Sequence, residues 1–203
     1  MKPTRQNTMS KKRAAMLEKI LDAAEQAFAT SGFHGAGISG IAKTCGMSTG
    51  HLYHYVNNKE ALIEAVVQRE LGRHMKRMRE LENVTHENVV EGLVLNVART
   101  ILHETGLFRT VLNFETLAEG QRNPKIAEIL RQHDSEIRTR FCDVLRRLGV
   151  PSPETRTELI MTIYAGLPAR ALRYPEQERG IVMETLMPVL RNILTAPEVS
   201  PQG

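Results

Sequence analysis

Along most of this 203-residue chain the apolar residues recur every three or four positions, and nowhere do apolar and polar residues alternate for the length of a strand. Such spacing collects side chains on one face of a helix rather than one face of a sheet. Aromatic residues make up only 4% and Trp is absent, so strand-favouring residue types are scarce. The pattern predicts an all-α protein of about nine helices.

Leu17, Ile20, Leu21, Ala24, Ala27 and Phe28 mark the first helix, and Gly32 ends it. Short helices over about 38–45 and 49–55 follow, then a longer one over 59–81 that Asn58 can cap through its side-chain oxygen. Beyond a polar junction at 82–87, Val89, Val90, Leu93, Val94, Val97, Ala98, Ile101 and Leu102 form a nearly continuous apolar stripe. A helix over 106–120 comes next. Pro124 opens a long one carrying Ile126, Ile129, Leu130, His133, Ile137, Phe141, Val144, Leu145 and Leu148, which Gly149 and Pro151 end. The last two helices span about 153–173 and 175–194. Pro168 and Pro188 fall inside them, where each removes a backbone donor and is expected to bend or break its helix.

The formal net charge of +4 lies wholly in the first third: residues 1–60 hold eight Lys/Arg against four Asp/Glu, and the remainder holds nineteen of each. A basic module that meets a polyanion, joined to a neutral module with another task, fits this asymmetry. No apolar run reaches the length of a membrane span and residues 1–10 lack the apolar stretch of a secretory signal, so a cytoplasmic location away from membranes is expected. Cys45 and Cys142 stand alone, a spacing typical of small buried hydrophobes rather than redox or metal pairs.

Residues 38–55 have the make-up of a helix-turn-helix. Ala42 is small where two helices would cross, Gly46 can adopt the left-handed conformation of a sharp turn, and Ile41, Met47 and Leu52 supply apolar contacts. An ordinary helical hairpin would share this spacing. The second helix, however, offers Ser48, Thr49, His51, His54 and Tyr55 with no carboxylate to repel phosphate, and Gly50 leaves room for a close backbone approach. Lys59 opens the next helix, where its ammonium and the first-turn amides can hold one phosphate. Lys2, Arg5, Lys11, Lys12 and Arg13 form a basic arm that can follow a DNA backbone or enter a minor groove, although such termini also occur without a ligand.

The stretch ILDAAEQAFATSGFHGAGISGIAKTCGMSTGHLYHYVNNKEALIEAV, residues 20–66, resembles the DNA-binding region of the tetracycline-repressor (TetR) family of bacterial regulators. The resemblance rests on ordered motifs: a first helix ending in Gly-Phe, then Ile-Ala, Gly-Met-Ser-Thr-Gly, Leu-Tyr-His-Tyr and Asn-Lys-Glu-Ala-Leu. It implies that Thr49, Gly50 and His51 face bases or the groove, that Tyr53, His54 and Tyr55 lie along the backbone and groove wall, and that Lys59 anchors phosphate. Tyr53 can equally pack into the domain with only its hydroxyl exposed. Departures occur at Ala36 and Gly37, where the family commonly has a Thr or Ser pair, leaving Ser39 as the candidate hydroxyl for that place. Val56 stands where Phe is usual, and Cys45 where a small residue is usual.

The resemblance further implies that the remaining helices sense a ligand and dimerise, the last two pairing with those of a second subunit. Leu159, Ile163 and Leu167 on one, and Val182, Leu186, Val189, Leu190 and Ile193 on the other, offer apolar surface for that purpose. Phe108, Phe114 and Tyr164 can line a ligand pocket, with Asn113, Glu115 or His133 orienting its occupant, although core packing explains the aromatics and His133 as well. Glu115 and Glu119 can face inward together toward a cation, or form a solvated face. No catalytic constellation, metal-ligand spacing or phosphate loop is present, so neither an enzyme nor a metal or cofactor is expected.

The expected organisation is a flexible basic arm over 1–13, a three-helix helix-turn-helix domain over 14–60, a fourth helix over 59–81 linking it to a sensing and dimerisation domain over 61–197, and a tail over 198–203. The expected function is a homodimeric repressor of a palindromic double-stranded DNA operator, released by a small-molecule effector. A DNA-binding structural or partner-regulated protein of the same fold without an inducer, or an activator, is the alternative.

Overall fold

A computed structural model describes residues 5–85, 89–104, 106–174 and 179–197. Among these residues there are nine α-helices and no strand: α1 (Arg5–Gly35), α2 (Ile38–Thr44), α3 (Thr49–Leu52), α4 (Lys59–Glu80), α5 (Val89–Glu104), α6 (Leu107–Gly120), α7 (Pro124–Arg147), α8 (Pro153–Arg173) and α9 (Arg179–Thr195). The all-helical fold read from apolar spacing is therefore correct.

Three boundaries differ from expectation for identifiable reasons. The basic arm is helical from Arg5 onward, because residues 5–16 contain neither Gly nor Pro and are rich in Lys, Arg and Ala, which favour helix. Residues 1–4 lie outside the described residues. The second helix of the helix-turn-helix stops at Leu52, and Tyr53, His54 and Tyr55 continue as a turn, with Tyr55 N–H bonding the Leu52 carbonyl at 2.9 Å. Weak helix formers there, followed by the cap at Asn58, favour an early stop. Neither Pro168 nor Pro188 breaks its helix. Beside Pro188, buried Leu186 and Leu190 hold α9 in place despite the lost backbone bond.

Gly32 does end the first continuous run: its φ of 71° and ψ of 166° kink the chain before a last short turn to Gly35. Gly46 has φ 70°, and around it Gly46 N–H bonds the Lys43 carbonyl while Met47 N–H bonds that of Ala42. These are the two crossed bonds of a glycine-terminated helix end, and they set the turn between α2 and α3.

The chain divides into two compact units, one comprising residues up to Glu70 together with Val111–Ala127, the other Leu71–Thr110 together with the residues from Glu128 onward. The helix-turn-helix unit thus includes most of α6 and the start of α7 in addition to the residues up to Glu70. Its buried side chains include Ile20, Ala24, Phe28, Phe33, Ile41, Ala42, Leu52, Leu62 and Val66. Phe28 and Phe33 meet edge to face with centroids 5.0 Å apart, bracketing the Gly32 kink. In the second unit Leu93 and Val94 of α5, Phe141 and Leu145 of α7, Ile160 of α8 and Leu186, Leu190 and Leu194 of α9 share one core. Arg156, itself buried, donates to the carbonyls of Ile193 and Ala196 and so closes the end of α9.

Candidate nucleic-acid interface

The reading surface is built on α2 and α3. Ile41 and Ala42 are buried from α2, Leu52 from α3 and Val56 just beyond, so the outward side of α3 is left to Thr49, Gly50, His51 and the turn after it. Ser48 is the N-cap of α3, its Oγ accepting the His51 N–H at 3.2 Å. One expected DNA-facing group therefore has a structural task as well, and its hydroxyl hydrogen stays available to donate. Thr49 is partly buried, His51 and His54 are exposed, and Tyr53 is 44% exposed. The alternative that Tyr53 packs inward is thus set aside.

Gly50 adopts no positive φ, and a Cβ built on it would meet nothing within 4 Å. Nothing among the described residues accounts for glycine there. Around Gly50 the side chains interact: the His51 ring lies 5.6 Å from Tyr55 and 6.1 Å from His54, and the Arg13 guanidinium sits 5.2 Å above the Tyr55 ring. Arg13 Nη2 also donates to the His54 carbonyl at 3.0 Å. From Ser48 to Tyr55 there is no Asp, Glu, Lys or Arg, while Lys11, Lys12, Arg13, Lys43 and Lys59 supply positive charge on neighbouring helices.

At α2 the N-cap is Gly37, and no side chain caps the helix; Ser39, exposed on the first turn, does not take that role. Asn58 caps α4 as expected, its Oδ1 accepting the Ala61 N–H at 2.7 Å. Lys59 is partly buried and its Nζ donates to the His34 carbonyl at 2.8 Å, leaving two further hydrogens on the ammonium.

His34 gave no signal in the sequence, yet several groups meet at it. Its Nε2 lies 2.8 Å from Oε2 of buried Glu119, and the preceding Phe33 N–H donates to Glu115 Oε2 at 3.0 Å. Glu115 and Glu119, one turn apart on α6, do face the same way, but toward the end of α1. Gly32 is part of this contact, since a Cβ there would come within 3.1 Å of the Glu115 carboxylate. Glu115, expected as a ligand-orienting group, thus accepts the first backbone donor after the Gly32 kink.

The other candidate ligand residues are divided between the two units. Asn113 and Phe114, both partly buried, belong with Glu115 to the helix-turn-helix unit, whereas Phe108, His133 and Tyr164 belong to the second, where Phe108 is 39% exposed. In that second unit His74 of α4, which the sequence reading passed over, stands between two of them: its ring is 5.7 Å from His133 and 6.3 Å from Tyr164. Burial, reinforced by His74, lowers the His133 pKa to about 4, against the opposing pull of Glu136 and Asp134. An imidazole so held is neutral at pH 7 and can donate through one nitrogen and accept through the other.

Of the residues expected at a subunit interface, Leu186 and Leu190 are corrected: both lie in the core of their own unit, because α9 turns that face toward α5 and α8. Ile163, Leu167 and Ile193 are partly buried against the same core. Leu159 and Val189 are 49% and 45% exposed and offer free apolar surface, while the Val182 side chain lies outside the described residues. Cys142 is buried, and burial pushes the Cys45 thiol up, in keeping with unreactive packing roles. Among the described residues no helix is long and apolar enough to cross a membrane, and no group of His, Cys, Asp or Glu is placed to hold a metal.

Comparison with known proteins gives two family matches: bacterial regulatory proteins of the tetR family over residues 20–66, and the tetracyclin repressor-like C-terminal domain over residues 84–196. The chain is 31% identical over 187 residues to the HTH-type transcriptional regulator UidR of Escherichia coli K12, covering 88% of this chain and 92% of that protein. It is 28% identical over 141 residues to the fatty acid metabolism regulator protein of Bacillus subtilis, covering 68% of this chain and 64% of that one. Among solved structures, Salmonella enterica GusR superposes with a TM-score of 0.69 at 28% identity, covering 90% of this chain and 96% of that one. Bacillus subtilis FadR in complex with stearoyl-CoA shares the fold, with a TM-score of 0.68 at 20% identity and coverage of 89% and 99%.

Proposed function

The chain belongs to the tetR family of bacterial regulatory proteins and is a DNA-binding transcriptional regulator rather than an enzyme; from that premise we propose that it acts as a homodimeric repressor whose hold on a palindromic operator is released by a small molecule. The observation that carries the DNA-reading part is the surface at Thr49 to Tyr55: hydrogen-bonding side chains without a carboxylate, around a glycine that packing among the described residues does not require, flanked by basic groups. Thr49, Gly50 and His51 read base edges, and Ser39, Ser48, Tyr53, His54 and Tyr55 contact the backbone and groove wall. Lys59 holds a phosphate with its remaining donors. Two-fold pairing through the exposed apolar positions Leu159 and Val189, extended by Ile163, Leu167 and Ile193, presents two such surfaces to successive major grooves.

His74, His133 and Tyr164 are the best-supported kernel of an effector site, because polar groups are gathered there beside an apolar core. That the fold hosts an effector is supported by the stearoyl-CoA complex of Bacillus subtilis FadR. Release requires that the effector bind the DNA-incompetent state more tightly, since equal affinity for both states shifts nothing. Such a regulator works in the cytoplasm, where its operator is.

Selection from a randomised duplex library tests the reading. An inverted repeat with half-sites about 34 Å apart, bound at two chains per site, is expected. A single unrepeated site bound by one chain would refute the dimeric part. Release is tested on that selected site with a metabolite panel that includes long-chain acyl-CoA. A compound that raises the melting temperature and dissociates the DNA supports an inducer, and a compound that tightens binding refutes release.

A further inference from the structure

Arg13 is an exposed basic residue near the start of α1, the kind of side chain ordinarily assigned to the phosphate backbone. Its guanidinium is already engaged. Its guanidinium carbon lies over the Tyr55 ring, 5.2 Å from the centroid, and Nη2 donates to the His54 carbonyl at 3.0 Å, so one side chain holds both the ring and the backbone that follow α3. Tyr55 in turn lies 5.6 Å from the His51 ring. α3 has only four residues, and the turn after it cannot hold its side chains by helical regularity. His51 and His54 are exposed, and neither is fixed by the core.

We propose that Arg13 is a specificity-determining positioning residue: by stacking on Tyr55 and bonding the His54 carbonyl, it fixes the His51 imidazole in its base-reading orientation without itself reading a base. The inference rests on the assignment of His51 as a base reader. A planar, forked cation can stack and donate at once. A lysine ammonium keeps the charge but loses the flat face and the fork. Lysine substitution therefore separates positioning from simple attraction to phosphate.

The experiment measures relative affinities of the full-length protein for the selected site and for all single-base variants of one half-site, comparing wild type with Arg13→Lys, Arg13→Gln and His51→Ala. Salt titrations and melting temperatures are recorded for each. Arg13→Lys and Arg13→Gln are expected to reduce discrimination about threefold to tenfold at the base pairs where His51→Ala reduces it, with the salt slope of Arg13→Lys unchanged. Wild-type discrimination in Arg13→Lys would overturn the proposal and make Arg13 a charge contact. Equal weakening for every sequence, or a lowered melting temperature with discrimination intact, would overturn it in favour of attraction or stability alone. If His51→Ala shifts preference and the Arg13 variants do not, the proposal alone fails. If His51→Ala shifts nothing, the base-reading assignment fails and the proposal with it.

Discussion

Gly50 separates a surface shaped by the protein's own packing from one shaped by what docks on it. Alanine there meets no atom within 4 Å and needs no positive φ, and in a helix it is favoured over glycine by about 0.5–1 kcal/mol. Gly50→Ala is therefore expected to leave the melting temperature unchanged or raised. Its methyl group would stand in the path of the DNA and cost about tenfold in affinity, the scale of a modest steric overlap. Melting curves alongside fluorescence-anisotropy titrations read both effects, and unchanged affinity would move the reading surface elsewhere. His133 makes a second residue-scale prediction. Its folded pKa of about 4 lies below the ordinary 6.5, so between these values the unfolded chain binds more protons and stability falls as the pH drops. The loss should be about 1 kcal/mol at pH 5, allowing for the exposed part of the ring, and His133→Gln should remove it. Denaturant midpoints at pH 5 and pH 7.5 in the two proteins measure the difference. His133 was legible as a polar group on an apolar stripe, but its neighbour His74 was not, because periodicity within one helix carries no information about which helix packs against it.

At the scale of elements, the reading from spacing located the nine described α-helices; it misplaced the start of α1 and the end of α3, which local propensity sets, and it did not show which distant groups complete an end. The glycine signals at Gly46 and Gly149 worked because a positive φ is a local demand that residue type alone reveals. The end of α1 is different. Gly32 marks the kink, but the groups that complete it, Glu115 and Glu119, come from α6, and their spacing alone fits a ligand site or a solvated face equally well. Phe33 is fully buried and its amide donates to Glu115, so removing that acceptor strands a buried donor. Glu115→Ala is expected to lower stability by about 1–3 kcal/mol, with Glu115→Gln recovering most of it because the amide oxygen still accepts. Urea denaturation of the three proteins distinguishes this from a ligand-binding role, in which stability would not change without an effector.

For the whole molecule, the positive charge and the sequence-reading groups occupy different places, and this division yields a separable pair of properties. Residues 1–60 carry the entire excess of positive charge, half of it along α1, while Ser48 to Tyr55 has no Asp, Glu, Lys or Arg. The balanced remainder, with nineteen charges of each sign, contributes little to attraction for a polyanion. Because α1 is helical from Arg5 onward, Lys11 and Lys12 sit on a regular scaffold rather than on an unstructured arm, and both are exposed. Their contribution to binding is then the release of counterions from the phosphates they neutralise, about 0.9 in the slope of log affinity against log salt for each contact. The double substitution of Lys11 and Lys12 by Gln is expected to flatten that slope by up to about 2 and to weaken every duplex by the same factor. The order of preference among single-base variants of the selected site should stay as in wild type. A changed order would mean that the start of α1 enters a groove and reads sequence there, and an unchanged slope would mean that it does not reach the DNA. Either result would relocate the basic surface that the charge asymmetry alone could only assign to the first third of the chain.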